Sequence, residues 1–273
     1  MRLQSPSVGC PCRPVLALIL MCLTLCGVRG QSDCDFLTGP EGLSAGCQDS
    51  CVWVVPDFER AAETTGYTVD SVAYAPPLAI GAGEVQSTAT NGYTGNIDLP
   101  FGFSFFDTDF FQLKVSRKGF VTFNTGLGGG YNYPNQPLGN PNLPPNSIMA
   151  PYAYISNSGG SIRTATLGEA PCRRFVISWE NLPQTGCSAN ELVSQVVLHE
   201  TSNVVEAHIG QFASCLQITA CVGIQGGSGE GSYGPADYDT GEIVVSNQAF
   251  RYAPTGATQT ELVYLVDGDI VGQ

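Results

Sequence analysis

Large apolar residues alternate with small or polar residues in several short stretches of the chain, without the spacing typical of helices. The alternation is clearest at residues 97–105, and further apolar stretches follow at 111–115, 120–123 and 175–180. Turns rich in Gly and Pro separate these stretches over about 200 residues, which predicts an all-β fold, an antiparallel two-sheet β-sandwich that is jelly-roll-like. Seven side chains are expected to face its core: Phe101, Phe103, Phe105, Phe123, Phe175, Ile177 and Trp179.

Residues 192–200 and 204–209 predict a β-hairpin that follows a polar loop at 181–190. If Ser202 and Asn203 form a two-residue turn, Leu198 lies opposite Ala207. This register separates an apolar face from a polar face, whereas a slip by one residue would mix the two. The polar face carries Gln195, Val197, His199, Glu206 and His208. Another turn is predicted at residues 107–109.

The same hairpin, extended outward, brings Cys187 close to Cys215 and predicts a disulfide between them. Cys172 and Cys221 stand at the starts of two predicted strands and form a second candidate pair. No cysteines show the C-x-x-C spacing of a zinc site. Seven cysteines follow residue 30, so one thiol is free or bonded to another chain, and the pairing of Cys34, Cys47 and Cys51 stays open.

The first 30 residues resemble a secretory signal, because Arg2 and Arg13 precede an apolar run at 15–25 and small residues follow at 27–30. No later stretch is apolar enough for a membrane span. The protein is therefore expected to be secreted or held at the cell surface. The expected division is a signal peptide at 1–30, a Cys-containing segment at 31–56, the β-sandwich at 57–253, and a tail at 254–273 that begins a further β module.

Acidic residues outnumber basic residues 24 to 11, and the net charge is −13. This balance argues against nucleic acid as a partner, because phosphate binding needs clustered Lys and Arg. Acidic pairs in turns make calcium the candidate cofactor, and the strongest set is Asp237, Asp239 and Glu242 beside a Gly-rich segment. The alternative is that Asp stabilises these turns through its own backbone hydrogen bonds.

Signatures of catalysis are weak in this sequence. The chain has two histidines, His199 and His208, and the predicted hairpin places His199 opposite Glu206 without an apparent third ligand. No compact pair of carboxylates shares one strand face. The protein is therefore predicted not to be an enzyme.

A long segment at residues 124–145 lacks a strand pattern and contains Tyr131 and Tyr133. Loops of this length are often functional, and the two rings are candidates for contact with a sugar or a partner surface. The alternative is that they pack the loop onto the sandwich.

An ordered series of motifs carries a family resemblance. The motifs are CVWVVPDF at 51–58, YTVDSVAYAPP at 67–77, LPFGFSFF at 99–106, PCRRFVI at 171–177, VGIQ at 222–225 and AFRYAPTG at 249–256. Together they resemble a module of Bacteroidetes-type secreted surface proteins, which implies a β-sandwich of gliding or adhesion polypeptides exported by type IX secretion. The LPFGFSFF segment is also distantly similar to nidogen-like extracellular modules. Related modules often carry an acidic pair after the segment equivalent to 148–151, where this chain has Tyr152 and Tyr154.

These observations together predict a non-enzymatic extracellular or cell-surface β-sandwich module for adhesion or surface architecture, with other surface proteins or glycans as partners. One alternative is a carbohydrate-binding module or glycan-active domain that uses Tyr131 and Tyr133. Another is a self-associating subunit of an extracellular filament or stalk, joined through the odd cysteine or an open sheet edge.

Overall fold

A computed structural model describes residues 62–90, 92–128, 136–215, 219–227 and 230–256, and the backbone of 264–266 and 269–272. The described residues form strands and no helix. The strands are β1 (Tyr67–Val72), β2 (Glu84–Val85), β3 (Ile97–Phe105), β4 (Thr108–Ser116), β5 (Phe120–Thr122), β6 (Ser147–Tyr152), β7 (Ser161–Leu167), β8 (Arg174–Gln184), β9 (Cys187–His199), β10 (Val205–Ala213), β11 (Cys221–Gln225), β12 (Ser232–Tyr233), β13 (Val244–Pro254), β14 (Tyr264–Val266) and β15 (Asp269–Gly272).

Two antiparallel sheets pack face to face. The seven-stranded sheet has the order β1-β13-β10-β9-β8-β7-β2, and the six-stranded sheet has the order β12-β11-β6-β5-β4-β3. Strands β14 and β15 pair only with each other. The fold is therefore an all-β two-sheet sandwich, as the alternation of apolar residues predicts.

The predicted core residues are all buried between the sheets. Phe103, Phe105 and Trp179 are fully inaccessible to solvent. The indole Nε1–H of Trp179 donates to the carbonyl oxygen of Ser116 at 2.8 Å, which satisfies its one polar group inside the core. The period-two pattern of β3 thus identified the buried face correctly.

The β9–β10 hairpin has a different register from the predicted one. Leu198 lies opposite Val205, and the loop between the two strands holds residues 200–204 instead of two residues. Asn203 adopts a positive φ of 53°, and its Oδ1 accepts a hydrogen bond from the Ser104 amide of the other sheet at 2.9 Å. Because the shift is two residues, Gln195 and His208 stay on the predicted polar face.

The bounds of two predicted loops are wrong. Most of residues 181–190 belongs to strands, because β8 continues to Gln184 and β9 begins at Cys187. The turn predicted at 107–109 is formed instead by Phe106 and Asp107, which have φ values of 46° and 55°, as a type I′ turn requires. Phe106 occupies this unusual position because its ring packs against Tyr67, with 5.1 Å between ring centroids.

The cysteine predictions have different outcomes. Cys187 and Cys215 form the predicted disulfide, with 6.4 Å between their Cα atoms. Pairing of Cys172 with Cys221 is wrong, because Cys172 is disulfide-bonded whereas Cys221 is free and buried. Cys221 lies in the six-stranded sheet, where its sulfur is 3.3 Å from the Met149 sulfur, while Cys172 leads into the opposite sheet.

The sandwich strands span Tyr67–Pro254, close to the predicted domain at 57–253. The predictions for residues 1–56, including Cys34, Cys47 and Cys51, lie outside the described residues. The start of a further module in the tail stays a prediction.

Candidate functional site

An open stretch of sheet edge arises because β1 is shorter than its neighbour β13. β1 pairs with β13 only from Tyr67 opposite Pro254 to Val72 opposite Ala249. Soon after Val72 come Pro76 and Pro77, which cannot donate ladder hydrogen bonds, and the chain leaves the sheet. Among the residues that the structure describes, none therefore forms a neighbouring strand to 244–248 of β13 on the β1 side.

A groove of about 580 Å³ lies at this open edge, and we name it the edge groove. One wall is the end of β1, and the other is the segment 234–238. The Val222 amide donates to the Tyr238 carbonyl at 2.8 Å, and the Tyr238 hydroxyl donates to Gln248 Oε1 at 2.9 Å. The Tyr238 ring also packs on Phe250, with 5.6 Å between centroids, so the second wall is fixed to the sandwich.

The lining of the edge groove is mixed and mostly polar. Of the described residues that line it, Asp237 alone carries a charge. β13 exposes three consecutive residues, Ser246, Asn247 and Gln248, because Asn247 adopts a positive φ of 51° and interrupts the regular pleat. Of these three, Asn247 and Gln248 line the groove. The groove therefore offers the Asp237 carboxylate, the amides of Asn247 and Gln248, and the Ser71 hydroxyl for hydrogen bonding.

The three predicted calcium ligands have different surroundings in the structure. Asp237 lines the edge groove, Asp239 contributes its main-chain carbonyl to the Leu138 amide at 3.0 Å, and Glu242 is exposed. Within the described ranges, no group of three or more His, Cys, Asp or Glu side chains is arranged to hold a metal ion. Calcium binding by the three residues stays a prediction. Tyr131 and Tyr133 lie outside the described residues.

Comparison with known proteins gives the family. A family profile described as NIDO related matches residues 66–264, more than two thirds of the chain. The chain belongs to the NIDO-related family. Neither the search of curated proteins nor the search of solved structures found a match. This assignment confirms the nidogen-like part of the resemblance and indicates an extracellular β-rich module, while the Bacteroidetes and type IX features stay predictions. Across the part of the chain that the structure describes, no helix could span a bilayer.

The NIDO-related sandwich has a second feature that the sequence analysis missed, a strap formed by residues 73–83. The strap runs from β1 to β2, and so crosses the outer face of the seven-stranded sheet. Leu78 packs there on Val176 and Val197. The Gly81 amide donates to Glu180 Oε1 at 3.0 Å. Two features of the sequence could have indicated the strap. Two prolines directly precede Leu78, and Val176 and Val197 are apolar residues on an otherwise polar face of the sheet.

The strap lies beside a cluster of two histidines and a carboxylate. Glu206 Oε2 is 3.1 Å from His208 Nε2 and 3.6 Å from His199 Nε2. Burial by itself would raise the pKa of Glu206, but the two histidines lower this pKa well below its usual range. The ionised carboxylate therefore accepts the Nε2–H of His208, a tautomer assigned from the hydrogen-bond network.

Proposed function

We propose that the chain is a non-catalytic extracellular module that binds other surface molecules, in adhesion or surface architecture, through the edge groove. The observation that carries the proposal is that, among the described residues, the stretch 244–248 of β13 has no strand partner on the β1 side, and that Asn247 and Gln248 of this stretch line a polar groove.

An extended segment of a partner protein is the ligand that this geometry favours. Five residues of strand span about 17 Å, enough to hydrogen-bond a short peptide in the position that β1 leaves free. Main-chain hydrogen bonds would supply affinity, and the side chains of Asp237 and Gln248 would select among partners.

The test is an array of purified extracellular proteins and glycans, probed with residues 31–273. Asp237→Arg reverses the one charge in the groove, and Asp109→Arg makes the same change at an exposed site on the other sheet. We expect binding to a protein partner that Asp237→Arg reduces about tenfold or more and Asp109→Arg leaves unchanged. Absence of any binding, or equal losses in both variants, contradicts the proposal.

Carbohydrate recognition is the second candidate, because Asn247 and Gln248 lie close to the Tyr238 ring in the groove. Planar polar side chains beside an aromatic ring suit the hydroxyls and apolar face of a sugar. Glycan signals on the same array that fall with Asn247→Gly would favour this candidate. Signals lost instead with Tyr131→Ala and Tyr133→Ala would place the sugar at the long loop. Self-association is tested on the same array by printing the chain itself and measuring whether the probe binds it.

A further inference from the structure

A second cleft, of about 190 Å³, lies between the strap and the outer face of the seven-stranded sheet. We name it the strap cleft. It shares no lining residue with the edge groove. Its apolar lining comes mainly from Tyr74, Pro76, Leu78 and Val193, and Ile80 is 66% exposed at its boundary. The cleft is therefore small, largely apolar and open to solvent on the strap side.

The strap is fastened to the sheet beside the cleft. Gln195 lines the cleft, and its amide forms two hydrogen bonds with the main chain of Leu78, of 2.6 and 3.2 Å. Gly81 is held by Glu180 further along the strap. The cleft is thus a preformed space with fixed walls, which lowers the ordering cost of binding.

His208 lines this apolar space and carries a polar atom without a partner. Its side chain lines the cleft and is almost completely buried, and Nε2 is committed to Glu206. Its Nδ1 atom is buried and has no hydrogen-bond partner. A buried polar atom without a partner is unfavourable, and a ligand that supplies the missing bond regains that free energy.

The required ligand chemistry follows from these groups. With the proton on Nε2, Nδ1 is a hydrogen-bond acceptor, so the ligand has to present an O–H or N–H. The walls require an apolar body, and the volume admits one ring. The Tyr74 ring stands edge-on to the imidazole, with 6.2 Å between centroids, and offers an aromatic contact to that body.

We propose that the strap cleft binds one hydroxylated aromatic ring, with the ring hydroxyl donating to Nδ1 of His208. The ring is either a small free phenol or the side chain of a tyrosine on a partner protein. Both sources share the same chemistry, and both are independent of the edge groove.

The experiment uses phenol as the probe and anisole, which lacks the hydroxyl donor, as the control. Because the chain has two histidines, imidazole nitrogen NMR resolves His208 from His199. We expect a saturable shift of the His208 Nδ1 signal with phenol, and binding about tenfold weaker for anisole, which corresponds to one lost hydrogen bond. Equal affinities for the two probes, or no saturable shift, would overturn the proposal. An ordered water would then be the hydrogen-bond partner of Nδ1.

Two variants separate the cleft from the rest of the histidine cluster. His208→Phe keeps a ring of similar size and removes Nδ1. The control is His199→Phe, because His199 is the other neighbour of Glu206 and does not line the cleft. Phenol binding is expected to fall about tenfold only in His208→Phe. The phenol and anisole comparison on the unchanged protein stands even if His208→Phe folds poorly.

Binding of N-acetyltyrosine amide as strong as that of phenol would assign the cleft to a partner's tyrosine, and phenol binding alone would assign it to a free phenol.

Discussion

Gln195 forms two hydrogen bonds with the main chain of Leu78, a residue 117 positions earlier in the sequence. Its Nε2 donates to the Leu78 carbonyl at 2.6 Å, and its Oε1 accepts from the Leu78 amide at 3.2 Å. The side chain acts as a strand neighbour would, because it satisfies both backbone groups of a residue that pairs with no strand. This contact fastens the strap to the centre of the seven-stranded sheet.

Replacing Gln195 by Leu is expected to destabilise the fold. The buried amide and carbonyl of Leu78 would lose their partner, so the free energy of unfolding should fall by about 2 to 3 kcal/mol. Urea denaturation measures the change. Gln112→Leu is the control, since the hydrogen bond from Gln112 to Asp98 is exposed and its loss should cost about 0.5 kcal/mol or less. Equal effects of the two substitutions would show that the Leu78 contact adds no stability.

Glu206 is expected to make stability depend on pH in the acid range. The pKa of Glu206 is lower in the folded protein than its ordinary value of 4.5, so the folded state disfavours protonation. Its contribution is complete above the ordinary pKa and is lost as the pH falls toward the lowered pKa of the folded state. The difference in unfolding free energy between the wild type and Glu206→Gln should therefore shrink as the pH falls from about 5 to about 2. A difference that is constant with pH contradicts this assignment.

The Cys221 thiol is expected to be unreactive in the folded protein. Burial raises its pKa to about 12, with a smaller contribution from Asp239, so almost no thiolate is present at neutral pH. Iodoacetamide treatment followed by peptide mass spectrometry should find Cys221 unmodified in the native state and modified after denaturation in guanidinium. Rapid native alkylation of the Cys221 peptide would mean that this part of the six-stranded sheet opens readily.

Calcium binding by Asp237, Asp239 and Glu242 is tested by thermal melting. An ion held only by the folded state raises the melting temperature, so added calcium should stabilise the wild type and chelator should reverse the effect. The double variant Asp237→Asn/Asp239→Asn is expected to lose the response while it melts at the temperature of the calcium-free wild type. A melting temperature that ignores calcium and chelator rules out calcium at this loop.

The sequence by itself determined which faces are buried. In β3 and in the β9–β10 hairpin, side chains alternate with period two, so polarity alone places Phe103 in the core and His208 on the outer face. The same local ladder brought Cys187 and Cys215 together. These features depend on neighbours in the chain, and a register error of two residues leaves each of them nearly intact.

Only the tertiary structure decided the register, the edge groove and the strap. The hairpin loop is longer than two residues where Asn203 bonds Ser104 on the opposite sheet. The edge groove depends on where β1 ends along β13, and the strap cleft depends on the meeting of Leu78 with Gln195. In each case the partner is distant in sequence, and the pairing is selected by packing and hydrogen-bond satisfaction, which no local pattern encodes.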